Sequence, residues 1–157
     1  MNKNVREWCR NECIRQHATT DEDFAGMEEA WEYAKVVSDT ITHVPLNVFV
    51  IRRLAGYIDP IANKVGTDSA YSELGCFRTG PAVFMNGGTS APANEIEYRL
   101  NNLINWMGNG FALTPNEFYQ TLMWIHPLRD GNGRLGALVY NILNGTINNP
   151  VVSPEYR

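Results

Sequence analysis

The chain has 157 residues, enough for one domain with a proper core, and its 44% hydrophobic and 19% charged residues are those of an ordinary globular protein. A net charge of −4, with no basic stripe carrying interleaved aromatics, argues against nucleic acid as the principal partner. No apolar run reaches bilayer length and the N-terminus lacks the regions of a signal peptide, so a cytoplasmic protein without a membrane partner is expected.

Residues from about Asn4 to Gln16 predict a first helix with Val5, Trp8, Cys9, Cys13 and Ile14 as its candidates for the inward face. Three cysteines, an odd number, do not make a disulfide framework. Cys9, Cys13 and His17 recur every four residues and offer three zinc ligands on one helical face. A structural site takes four, and no paired-cysteine motif supplies the last, so packing is the preferred reading. Thr19-Thr20-Asp21-Glu22-Asp23 then supplies cap chemistry for a second helix to about Ser38, carrying Phe24, Met27, Trp31, Ala34 and Val37 on one face.

Thr40 to Pro45 is a connection in which His43 is read as a surface residue. Leu46 to Ile58 predicts a third helix, interrupted by Asp59-Pro60. Ile61 to Gly75 reads as a loop. From Gly75 to Gly88, apolar β-prone residues flank Thr79-Gly80-Pro81 and end in Asn86-Gly87-Gly88, so a small hairpin is expected. Ala93 to Met107 predicts a further helix with Ile96, Leu100, Leu103, Ile104 and Met107 as its stripe, stopped by Gly108-Asn109-Gly110.

The most informative stretch is His126-Pro127-Leu128-Arg129-Asp130-Gly131-Asn132-Gly133-Arg134-Leu135-Gly136. Before it, Thr114-Pro115-Asn116-Glu117 has the form of a capping box with proline at the first helical position. That helix should end near His126, because proline disfavours helical geometry in the residue before it. After it, Leu135, Leu138, Val139, Ile142 and Leu143 form an apolar stripe, closed by Asn144-Gly145.

The segment is therefore a short loop between two helices. The second helix opens with unpaired N–H groups and the positive end of its dipole, and glycine lets a di- or triphosphate approach the backbone. Arg134 would add a planar fork to the phosphate oxygens, Asp130 a hard oxygen ligand for Mg2+, and His126 a proton acceptor for an incoming hydroxyl. The plainer alternative is an ordinary turn and N-cap with a histidine at a helix end. A simple turn, however, has no need of histidine, carboxylate, asparagine and arginine at fixed offsets.

This segment resembles the signature of the Fic family, His-Pro-Phe, two variable residues, Gly-Asn-Gly-Arg, two more residues and a second arginine. The resemblance implies an all-helical fold with a small β-hairpin flap, and transfer of AMP from ATP to a hydroxyl side chain of a target protein. It assigns His126 as general base, Asp130 as Mg2+ ligand, and Gly131, Asn132 and Gly133, with Arg134 assisting, as the phosphate site. The Gly75 to Gly88 element is similar to the family flap, with Ala82, Val83 and Phe84 aligning a target segment by strand addition.

Two positions depart from the signature. Leu128 replaces phenylalanine, and Ala137 stands at the second arginine, whose loss should weaken or reposition a triphosphate. Two alternatives to AMP transfer therefore stay open: a nucleotide- or protein-binding module without turnover, and a phosphotransferase similar to the death-on-curing toxins. Many Fic proteins carry an inhibitory helix with Ser or Thr, three residues and Glu; Ser69 to Glu73 matches this only by chance, so a separate inhibitor protein is a possible partner. One domain is expected over 1–157, with N-terminal helices to 45, a core over 46–145 and an irregular tail over 146–157.

Overall fold

The computed structural model describes residues 1–40, 46–63, 75–82, 84, 87–108 and 113–157. Among the described residues there are six α-helices: α1 Lys3–Arg15, α2 Asp21–Thr40, α3 Val48–Ile58, α4 Ile96–Gly108, α5 Pro115–Ile125 and α6 Asn132–Leu143. The all-helical expectation holds, and the helix starts follow from cap chemistry. The Asn2 and Asn47 side chains accept from the backbone N–H groups of Val5 and Val50 at 2.9 and 3.0 Å. Thr20 and Asp23 bond reciprocally at 3.1 Å ahead of α2, and Thr114 accepts from Glu117 with Pro115 just inside α5. A short 3-10 turn, Ala93–Glu95, leads into α4.

Helix α6 is the axle. It touches α1, α2, α3 and α5. Its predicted stripe is only part of what it buries: Gly133, Arg134, Gly136, Ala137 and Asn141 are buried as well, so the helix is enclosed on all sides. Leu135, Leu138 and Val139 share one core with Met27 and Trp31 of α2, Ile51 and Leu54 of α3, and Phe118 and Leu122 of α5. Cys9 and Cys13 belong to this core, their thiols pushed up to about 12 and about 11, mainly by burial. His17 has left the helix, exposed and in left-handed backbone, so the three residues do not share a face.

The expected hairpin over Gly75 to Gly88 is corrected: the described residues of this segment contain no strand pair. Its backbone donors are spent elsewhere. Cys76 N–H donates to the Asn63 carbonyl and Arg78 N–H to Pro127, at 2.9 Å, while Pro81 has no donor. The first part of the segment is thus strapped to the helical core, and a tight turn closes Phe84 on Gly88. Val83, His43 and the Ser69 to Glu73 stretch lie outside the described residues.

The tail from Thr146 onward has no helix but is tied down by side chains. Asn141, fully buried, donates to the Ala137 and Val151 carbonyls and accepts from Thr146 Oγ1 and Val151 N–H, at 2.6 to 2.9 Å. The indole N–H groups of Trp8 and Trp31 donate to Val151 and Ile147. Gln120 holds Glu155 and Arg157, which brings Tyr156 against Phe84 at 5.2 Å between ring centroids.

Candidate active site

His126 ends α5 in the left-handed region at φ 52°, ψ 61°, uncommon for a residue with a side chain. Pro127 ends the helix here by disfavouring right-handed helical backbone in the residue before it, but extended backbone is its ordinary result, so the left-handed turn is set by tertiary contacts. The imidazole packs edge-on against Phe84, with centroids 5.0 Å apart and planes at 88°. Its Nδ1 is buried without a hydrogen-bond partner; the Met123 carbonyl favours a proton there, but no bond of ordinary geometry joins the two. Burial holds the ring below the ordinary imidazole range, and the Arg78 charge adds to this against the opposing carbonyl. A neutral imidazole is the form that accepts a proton.

The loop from Leu128 to Gly131 is built by Asn132. Its Oδ1 accepts from Leu128 N–H at 2.9 Å and its Nδ2 donates to the Leu128 carbonyl at 2.8 Å, so the asparagine locks the loop from inside. Leu128 is itself buried, filling the apolar anchor position. Gly131 stands at φ 87°, and a Cβ there would lie 2.4 Å from Ile58 Cγ2, so glycine alone fits. Asp130 accepts from Gly131 N–H at 2.9 Å and keeps its side chain 59% exposed. No side chain caps the start of α6.

Arg134 is placed differently from a solvent-facing phosphate ligand. Its side chain is 1% exposed, 3.5 Å from Asp23 and 3.4 Å from Asp130, and it reaches the Ile58 carbonyl at 3.4 Å. The guanidinium therefore lies behind the turn, and its Nε has no partner. Asp23 both caps α2 and pairs with this charge, so the N-terminal helices are part of the site. Gln16 completes the cover: a Cβ on Gly133 would lie 2.2 Å from its Oε1. Ala137, one turn further, is fully buried.

A hard divalent cation fits the donors present. The Asp130 carboxyl is held above the ordinary range by burial and by a hydrogen bond with Asp59, against the pull of Arg134. A cation would relieve the raised Asp130 carboxyl, and Mg2+ takes one or two protein carboxylates with phosphate oxygens and water. Among the described residues no group of three or more potential ligands is assembled. A phosphate ligand would thus share the ion.

Three residues of the site carried no signal in the sequence. Asn63, fully buried, donates to the Ala55 and Asp130 carbonyls at 3.0 Å and stitches the motif loop to α3. Asp59 was legible as the end of α3 but not as a neighbour of Asp130. Arg78, read as a strand residue, is buried beneath His126. Each is a lone polar residue whose partners are distant in sequence, so no spacing rule points to it.

A model of the Fic/DOC family matches residues 59–143, more than half of the chain. Among solved structures, the fold resembles Fic-1 (residues 134–508) from C. elegans, with a TM-score of 0.66 at 18% identity, covering 98% of this chain and 51% of that one. It also resembles a Fic domain containing signaling protein from Bacteroides thetaiotaomicron, with a TM-score of 0.58 at 20% identity over 90% of this chain and 59% of that one. A Fic family protein from Desulfovibrio desulfuricans gives 0.59 at 16% identity over 90% and 48%. At these identities the likeness is one of fold, and the chain spans roughly half the length of the structures it matches.

Proposed function

The chain belongs to the Fic/DOC family, and from that premise we propose that it is a Fic-type transferase. It moves AMP, or another phosphate-containing group, from a nucleotide to a Ser, Thr or Tyr hydroxyl of a target protein. The observation that carries the reading is a neutral, half-buried imidazole at the end of α5, four residues before a carboxylate and next to a helix start that no side chain caps. His126 takes the proton of the incoming hydroxyl, and that oxygen forms a bond to phosphorus as the bond to the leaving phosphate breaks. The turn of Gly131, Asn132 and Gly133 would hold the phosphate, the N–H of Gly131 being bonded to Asp130, while Arg134 assists from behind the turn, where it pairs with Asp23 and Asp130.

Asp130, with Asp59 beside it, would hold Mg2+, which supplies charge neutralisation for the phosphate oxygens. Ala82 to Phe84 would align the target segment. Catalysis of this kind is mainly positioning and charge stabilisation.

A second reading is favoured by two observations. Arg134 turns inward and Ala137 is sealed, so neither of the two motif arginine positions presents a solvent-facing arginine to a terminal phosphate. This suits a nucleotide- or protein-binding module without turnover, or a phosphotransferase that takes the nucleotide in another orientation. Incubation of a lysate with nucleotides labelled at the α or the γ phosphate separates the three. Transfer of the α label lost in His126→Ala supports AMP transfer, and transfer of the γ label supports the phosphotransferase. Calorimetric binding of nucleotide with neither label transferred supports the module, and labelling unchanged in His126→Ala defeats the enzymatic reading.

A further inference from the structure

The end of α5 poses a problem in hydrogen bonding. The last carbonyls of a helix need donors, and the usual closure through a left-handed residue draws one from the N–H of the residue after it. Here that next residue is Pro127, which has no N–H. The His126 N–H still reaches the Leu122 carbonyl at 3.0 Å, but the carbonyls of Ile125 and His126 itself are left to find donors outside the helix.

Arg78 supplies them. Its Nε donates to the His126 carbonyl at 2.6 Å and its Nη2 to Ile125 at 3.1 Å. The same guanidinium donates to the carbonyls of Gly80, at 2.8 Å, and Ala91, at 2.5 Å, and to Ser90 Oγ at 3.0 Å. Its own N–H closes on Pro127. The residue is 5% exposed, and among the described residues no carboxylate lies within ion-pair distance of it. Four carbonyl dipoles and a hydroxyl thus carry a buried charge, which costs several kcal/mol to place unless its bonds are well made. A helix end alone would not need it: a neutral donor could meet the Ile125 carbonyl.

We infer that Arg78 is a positioning residue for the transfer, fixing the left-handed backbone of His126 and tying it to the strap that carries Phe84. Two sides of the imidazole are set by one planar group. The backbone beneath the ring is clamped by Nε and Nη2, and the strap that presents Phe84 to its edge is clamped by Nη1 and Nη2. Arginine is suited to this by its five donors in a fixed fork, and lysine, with a single nitrogen, could reach one or two of the five acceptors. The inference rests on His126 being the proton acceptor, and it adds a residue that never touches substrate.

The test compares Arg78→Gln and Arg78→Lys with the parent in full-length protein. The first readout is independent of any activity: the contact between the His126 and Phe84 rings in NMR, and the ring's titration midpoint. Among the described residues, the charge acting on that ring is that of Arg78. In folded Arg78→Gln the ring contact should be lost and the midpoint should rise; Arg78→Lys should lie between. The second readout is labelling, where kcat should fall about 100-fold while KM for nucleotide stays within about two-fold, as expected of a misplaced base. Lysine should restore part of the loss.

A folded Arg78→Gln with the parent's ring contact and titration overturns the inference, whatever the labelling. Failure of both variants to fold assigns Arg78 to the core alone and overturns it as well. If the parent transfers no label, the proposed transferase fails, and the ring readouts still decide whether Arg78 positions His126.

Discussion

His126 shows how a single residue acquires a function from its surroundings. Burial and the Arg78 charge both disfavour its protonated form, so the ring stays neutral below the ordinary value of 6.5. The sign follows: the unfolded chain binds the proton more readily, so stability is lost as pH falls from 6.5 toward the folded value. Activity should follow the folded value, with the acid limb of a labelling-rate profile having its midpoint below 6.5. A midpoint at or above that value would show a ring that is not held neutral. The position of the histidine at a helix end was legible, because Pro127 dictates it; the groups that tune it were not. Arg78 lies 48 residues away, and only the folded chain brings it beneath the ring.

At the scale of elements, cap chemistry and apolar spacing located the helices well, since Thr114 and Thr20 act through bonds three residues long, while Asn47, not read as a cap, starts α3 two residues into the expected helix. The environment of α6 was less legible. Its second face consists of Gly133, Gly136, Ala137 and Asn141, small or polar residues that a stripe of large apolar side chains passes over, yet they let neighbouring helices approach and enclose it. The expected hairpin is not seen among the described residues for a related reason: β-prone residues and a turn specify a strand pair only when their backbone donors remain free, and those of Cys76 and Arg78 are drawn to Asn63 and Pro127. Asn141 carries the clearest energetic consequence. Replacing it with alanine removes four hydrogen bonds that tie the tail to α6 and leaves Val151 N–H without its partner, which should cost about 3 kcal/mol. Urea unfolding should show this as a lower midpoint at unchanged slope.

For the molecule as a whole, the matched region 59–143 is not the folding unit. Leu135, Leu138 and Ile142 pack in one core with Met27, Trp31, Ile51 and Leu54, all of which precede it. The buried Arg134 would lose Asp23 and face an unpaired charge on one side. A fragment of 59–143 alone should therefore melt without a cooperative transition by circular dichroism, while the full chain unfolds cooperatively. The division of the chain into N-terminal helices and a core is useful for following the sequence, but physically the two are one body around α6.

The enclosure of Ala137 bears on what the site could become. An arginine placed there would have to drive a long charged chain between helices that close over a methyl group, so a single substitution would harm folding before it could add any grip on phosphate. Space would have to be opened first, in the neighbouring side chains. The alanine is thus guarded by packing, and a different ligand is more readily accommodated than a second arginine on this helix.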